Sequence, residues 1–178
     1  MGAKITQIIF NLGSTRDCFG MMDSERRIVV FAVGDTRCAI HLDVAERVLP
    51  MIAVTPLPGA PAITPGAINL HGDAVAVVDL RRRFGFPPRD HGLSGRLLIA
   101  RLRQRRVALP VDEVVGVARL QEGSISSPDG LLPGLRHVSG VVATPDGLLF
   151  IHDLESFLSL EEEARLDVAL QGWESGKP

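Results

Sequence analysis

The sequence predicts an all-β protein built from two similar small β subdomains, and three observations carry that reading. Short β-prone runs recur at even spacing, Gly, Pro and Asp punctuate them at turn positions, and one half of the plan is written again in the second half of the chain. With 178 residues, 46% of them hydrophobic, the chain can bury an ordinary core without disulfides.

The elements follow in order. Residues 1–25 read as an extension outside the fold, because Met21 and Met22 stand just before the first strand-like run. Ile28 to Val33 and Arg37 to Leu42 flank the turn pair Gly34-Asp35 and predict a hairpin. Between 51 and 66, Pro56, Pro58, Pro61 and Pro65 with Gly59 and Gly66 exclude a helix or a central strand. Ala67 to Leu70 and Ala74 to Val78, joined by His71-Gly72-Asp73, predict a second hairpin. Leu80 and Phe84 stand four apart around three arginines, which predicts one or two turns of amphipathic helix with Arg81, Arg82 and Arg83 on its solvent face. Gly85 to Gly92 has linker composition, and Glu122 to Pro133 reads as a second irregular connection. Ser159 and Glu162 have capping-box spacing, and Leu166, Ala169, Leu170 and Trp173 form one stripe of a C-terminal helix.

A shift of 69 positions lays Arg37, Ala39, Asp43 and Val48 on Arg106, Ala108, Asp112 and Val117 without a gap. A shift of 74 lays Gly66, Asp79 and Leu80 on Gly140, Asp153 and Leu154. Both registers keep apolar residues against apolar ones, the mark of an internal duplication. The chain then divides into a folded region at 26–171, with subdomain one at about 26–86 and subdomain two at about 95–160, and a tail at 172–178.

Composition narrows the function. A net charge of −2, no Tyr and a single Trp disfavour a nucleic-acid surface, which needs cations and stacking platforms. No apolar run approaches the roughly 20 residues that span a bilayer, and no secretory pattern opens the chain. Cys18 and Cys38 have neither metal-ligand nor redox spacing, which fits a reducing cytoplasm. His41, His71, His91, His137 and His152 make no HxH, HxxxH or HExxH pattern, and no GxSxG or phosphate loop exists, so no catalytic, metal or cofactor residue is assigned. Asp79, Asp112 and Asp153 each follow a β run, where a carboxylate caps a helix or accepts turn N–H groups. Arg101, Arg103, Arg105 and Arg106 cluster at one hairpin tip and read as a solvated loop, or else as a contact for an acidic partner.

The stretch Gly66-Ala67-Ile68-Asn69-Leu70-His71-Gly72 with Val77-Val78-Asp79-Leu80-Arg81 resembles the signature of the CheW family, close to G-V-x-N-L-R-G-x-x-x-P-V-x-D-L-R. Val107 to Val117 and Ile151-His152-Asp153-Leu154 resemble the same family, and the likeness covers about residues 26–171. The resemblance implies two interlocked five-stranded SH3-like barrels and a non-enzymatic chemotaxis adaptor. Such an adaptor bridges the cytoplasmic tip of a methyl-accepting chemoreceptor and the regulatory domain of a CheA-type histidine kinase, without cofactors. Carried over residue by residue, it implies protein-interface positions at Val44, Ala45, Arg47, Gly66, Asn69, His71 and Gly72. Two departures stand out: His71 replaces the family's Arg, and Ala76 replaces its Pro. The same signature would also suit an adaptor of pilus-driven twitching or another receptor–kinase pathway. An oligonucleotide-binding barrel would need a basic groove lined with aromatics, which the sequence lacks.

Overall fold

The structure, a computed structural model, describes residues 25–87, 94–128 and 137–175. The N-terminal extension up to residue 24, most of the linker, residues 129–133 of the second connection and residues 176–178 lie outside the described residues.

Strands β1 (Glu25–Val33) and β2 (Thr36–His41) form the first expected hairpin, turning through Gly34 at φ +62°. The run from Ile28 to Val33 is continuously apolar because both faces of β1 are buried. Ile28 and Val30 enter one apolar cluster with Ala39, Val142, Leu149 and Ile151, while Val29, Phe31 and Val33 enter another with Leu98, Ala100 and Leu109. Then follow β3 (Ala45–Pro50), the two-residue β4 (Thr55–Pro56), β5 (Gly66–Leu70) and β6 (Asp73–Val77). The second half supplies β7 (Arg96–Arg101), β8 (Arg106–Val111), β9 (Glu113–Gln121), β10 (Val138–Thr144) and β11 (Gly147–His152).

The sheets run β10-β11-β2-β1-β9 and β3-β7-β8-β6-β5-β4. Under the duplication, β7, β8, β9, β10 and β11 answer to β1, β2, β3, β5 and β6, and the two orders become the same order. Each contains one parallel pairing in the same place, β11 with β2 and β6 with β8. Even the short β4 has its counterpart: Thr55 pairs with Ala67, and Ser126 bridges Val141, which lies 74 positions after Ala67.

The sheets are not the two halves of the chain, however. Each copy's first hairpin sits in the sheet completed by the other copy's strands, so a cut between 86 and 95 follows the duplication and not the barrels. Two SH3-like barrels result, with interiors around Ile28, Val30 and Ile151 in one and Ile68, Val77 and Ile99 in the other. A larger core centred on Phe31, Ile40, Leu98 and Leu109 lies between them.

Gly66 and Gly140 explain why glycine recurs at the duplicated position. A Cβ on Gly66 would run into the Thr55 carbonyl, and one on Gly140 into the Ile125 side chain, so neither edge crossing tolerates a side chain.

Asp79 caps α1 (Leu80–Arg83), accepting the Arg81 N–H at 2.9 Å and the Arg82 N–H at 3.3 Å. Asp153 caps a single 3-10 turn at Leu154–Ser156 by accepting the Glu155 N–H at 3.1 Å. The capping box forms too. Ser159 Oγ accepts the Glu162 N–H at 3.2 Å, and Glu162 accepts the Ser159 N–H at 2.9 Å. The helix it opens, α2 (Leu160–Ser175), runs through residues expected to be tail and seats Leu166 and Ala169 in the central core.

Of the three arginines of α1, expected on its solvent face, only Arg82 is exposed. Arg81 is buried, with its Nε on the Pro87 carbonyl at 3.1 Å and Nη1 3.7 Å from Asp112. Arg83 reaches Glu162 at 2.7 Å, and Arg82 spans Asp79 and the Ala62 carbonyl. A one-turn helix between two barrels has little solvent face to offer, and carboxylates distant in sequence claim Arg81 and Arg83.

Candidate interaction surface

Strand directions decide which expected interface residues meet. β6 and β8 run parallel from Asp73 and Arg106, β7 runs back to end at Arg101, and β3 starts beside it at Ala45. The β5–β6 turn at His71-Gly72 therefore lies at the same end of the second sheet as Val44, Ala45 and Arg47. Gly66 begins β5 and lies at the far end, buried, where it serves packing and presents no surface.

One carboxylate organises this end. Glu46 accepts the Arg101 Nε at 2.6 Å and pairs with the Arg106 Nε at 3.1 Å, and Arg106 reaches on to Asp73 at 3.3 Å. Burial alone would raise the Glu46 carboxyl, but the hydrogen bonds and charges of Arg101 and then Arg106 outweigh it and hold it below the usual carboxylate range. The chain Glu46–Arg106–Asp73 thus ties the edge strand β3 to the turn across β7 and β8.

The turn itself is tightly specified. His71 at φ +55° and Gly72 at φ +101° are both left-handed, as a primed two-residue hairpin turn requires. Asn69 Oδ1 accepts the Gly72 N–H at 2.8 Å. Asn69 and Gly72 therefore build the turn, and His71 stands exposed at its tip. Val44 and Ala45 are half-buried against the central core, with Val44 O accepting the Arg101 N–H at 2.7 Å, whereas Arg47 is exposed.

The other candidates fall to structural roles. Asp112 accepts the Gly34 N–H at 2.6 Å, stapling the β1–β2 turn to the end of β8. Arg101, Arg105 and Arg106 are not loosely solvated, since Arg105 pairs with Asp167 of α2 at 2.6 Å. Burial pushes the Cys38 thiol up to about 12, which leaves it protonated and inert. Among the described residues no three His, Cys, Asp or Glu side chains are grouped to hold a metal ion. Glu46 itself carries no signal in the sequence, because its partners stand 55 and 60 positions away.

Two hairpin-exchanged SH3-like barrels, braced at one end by ion pairs, define the class of this β protein. The CheW-like domain family matches residues 27–162, and the chain belongs to that family. It is 25% identical over 139 residues to the chemotaxis protein CheW of Rhizobium meliloti (strain 1021), covering 77% of this chain and 90% of that protein. It is 28% identical over 137 residues to the chemotaxis protein CheW of Bacillus subtilis (strain 168), covering 76% and 88%. The crystal structure of the scaffolding protein TtCheW from Thermoanaerobacter tengcongensis superposes with a TM-score of 0.70 at 27% identity, covering 77% of this chain and 94% of that one.

Proposed function

We propose that this chain is a non-enzymatic chemotaxis adaptor that joins the regulatory domain of a CheA-type histidine kinase to the cytoplasmic tip of a methyl-accepting chemoreceptor. It acts in the cytoplasm, at membrane-associated receptor arrays. The observation that carries this reading is the braced end of the second sheet, where one ionic chain holds β3 and the His71-Gly72 turn in fixed relation. An adaptor needs such rigidity, because partners docked on it meet in one geometry and a change in one can bias the other. Residues 26–171 form the working unit, with Val44, Ala45, Arg47, Asn69, His71 and Gly72 at or beside the contact. Gly66 supports it from within the fold. Carboxylates committed to backbone caps and ion pairs support a role without turnover. No described helix is long and apolar enough to cross a membrane.

Co-precipitation of the full chain with candidate receptor tips and kinase regulatory domains tests the reading. Retention of both classes of partner is expected. Retention of neither, or catalytic turnover abolished by Asp112→Asn in a folded protein, would overturn it.

A further inference from the structure

A cleft of about 610 Å³, apart from the residues of the braced end, is lined by Thr36, Arg83, Phe84, Phe86, Phe150 and His152 among others. Its volume falls in the range of small-molecule sites, and nothing in the adaptor role uses it.

Two of its lining residues make complementary demands. His152 is 5% exposed, and its Nδ1 lies 3.2 Å from the His137 carbonyl oxygen, so Nδ1 holds the proton and Nε2 the lone pair. Nε2 is buried without a hydrogen-bond partner among the described residues. The Arg83 Nε–H is likewise buried and unpartnered there, while Nη2 of the same guanidinium holds Glu162 at 2.7 Å. One group lacks a donor and the other lacks an acceptor, a condition native proteins rarely leave unmet.

Charge and shape narrow the ligand. Among the described lining residues Arg83 is the one Arg or Lys, and Glu162 already neutralises it, so an anion would have to compete with that pair. The walls are aromatic. Phe84 stacks on His152 with ring centroids 4.7 Å apart, and Phe86 meets Phe84 edge-on at 5.7 Å. Flat rings against a flat ligand bury area at little entropic cost.

We propose that this cleft binds an uncharged planar ligand whose edge carries an N–H beside a carbonyl, the lactam edge of a nucleobase-like ring. His152 Nε2 accepts from the ligand N–H, and the Arg83 Nε–H donates to its carbonyl.

Uracil is the probe, titrated into the full chain by ligand-observed NMR. Saturable binding is expected, and 1,3-dimethyluracil, which keeps the ring and loses both donors, should bind about tenfold more weakly or worse. Benzoate, planar but anionic, should also bind more weakly than uracil. His152→Phe preserves an aromatic ring against Phe84, and it should lose uracil binding with no fall in melting temperature. The absence of saturable uracil binding at millimolar concentration would mean that ordered water suffices, and would overturn the proposal. Equal affinity for uracil and its dimethyl derivative would overturn it as well, and that comparison needs no variant to fold.

Discussion

Glu46 and Arg106 form the pivot of the braced end. Their 3.1 Å ion pair joins strands β3 and β8, which are not neighbours in the sheet, and Arg106 then passes the connection to Asp73 at the hairpin tip. The Glu46 side chain is 16% exposed, whereas Arg101 and Arg106 are half in water, so the network should be partly screened by salt. Glu46→Gln should lower stability by about 1 kcal/mol, and less at high ionic strength. Because the folded-state pKa of Glu46 is depressed, its contribution is present above the ordinary glutamate value and is lost as the pH falls through the folded value. Urea melts of wild type and variant at two salt concentrations, and across acid pH, check this. A gap independent of both would place the glutamate's value in packing.

His152 should govern acid stability at a higher pH. Burial, with a lesser contribution from the charge of His137, lowers its pKa to about 4, against the opposing hydrogen bond to the His137 carbonyl. Between that value and the ordinary histidine value of about 6.5, the unfolded chain binds a proton that the folded chain refuses. Stability should therefore fall steadily as the pH drops from about 6.5 toward 4. In His152→Phe that part of the slope should vanish, a difference that denaturant midpoints recorded through this window will register.

Asp79 is predicted to affect stability more than recognition. Its carboxylate accepts two N–H groups of α1 and pairs with Arg82 at 3.2 Å. Asp79→Ala should cost about 1 kcal/mol, and Asp79→Asn less, because asparagine also caps. Thermal melts paired with partner binding separate the two roles. Unchanged melting with lost binding would move Asp79 to the interface.

At the turn, His71 sits at φ +55°, where a non-glycine side chain carries backbone strain. His71→Asn should stabilise the hairpin by up to about 1 kcal/mol, since asparagine favours the first position of such a turn. His71→Arg would restore the residue usual at this place in the family signature. If an acidic partner group lies opposite, it should tighten binding without raising stability. Equal affinities for wild type, His71→Arg and His71→Ala would leave recognition to Ala45 and Arg47.

Much of the fold was legible because it rests on local pattern. The apolar run at Ile28 to Val33, the Gly34 turn, the caps at Asp79 and Asp153 and the Ser159–Glu162 box all depend on residues within a few positions of each other. The matched registers of the two copies exposed the duplication. The hairpin exchange was not legible from pattern alone, because duplicated copies carry the same apolar code and each first hairpin suits either sheet. The fate of the arginines was hidden for a related reason. Arg83 finds Glu162 across 79 positions and Arg105 finds Asp167 across 62, pairings that only the packed barrels create. At the candidate surface, the signature located the turn. The role of Gly66 as a packing residue emerged only when Thr55 was seen crossing it.

The central claim is that one molecule holds two partners at once, and calorimetry tests it most directly. The full chain is titrated with the regulatory domain of its cognate CheA-type kinase, first alone and then with the chain saturated by the chemoreceptor tip. The account predicts saturable binding in both titrations and a ternary complex in which neither partner displaces the other. Strict competition between kinase domain and receptor tip, or no heat of binding with either, would contradict it.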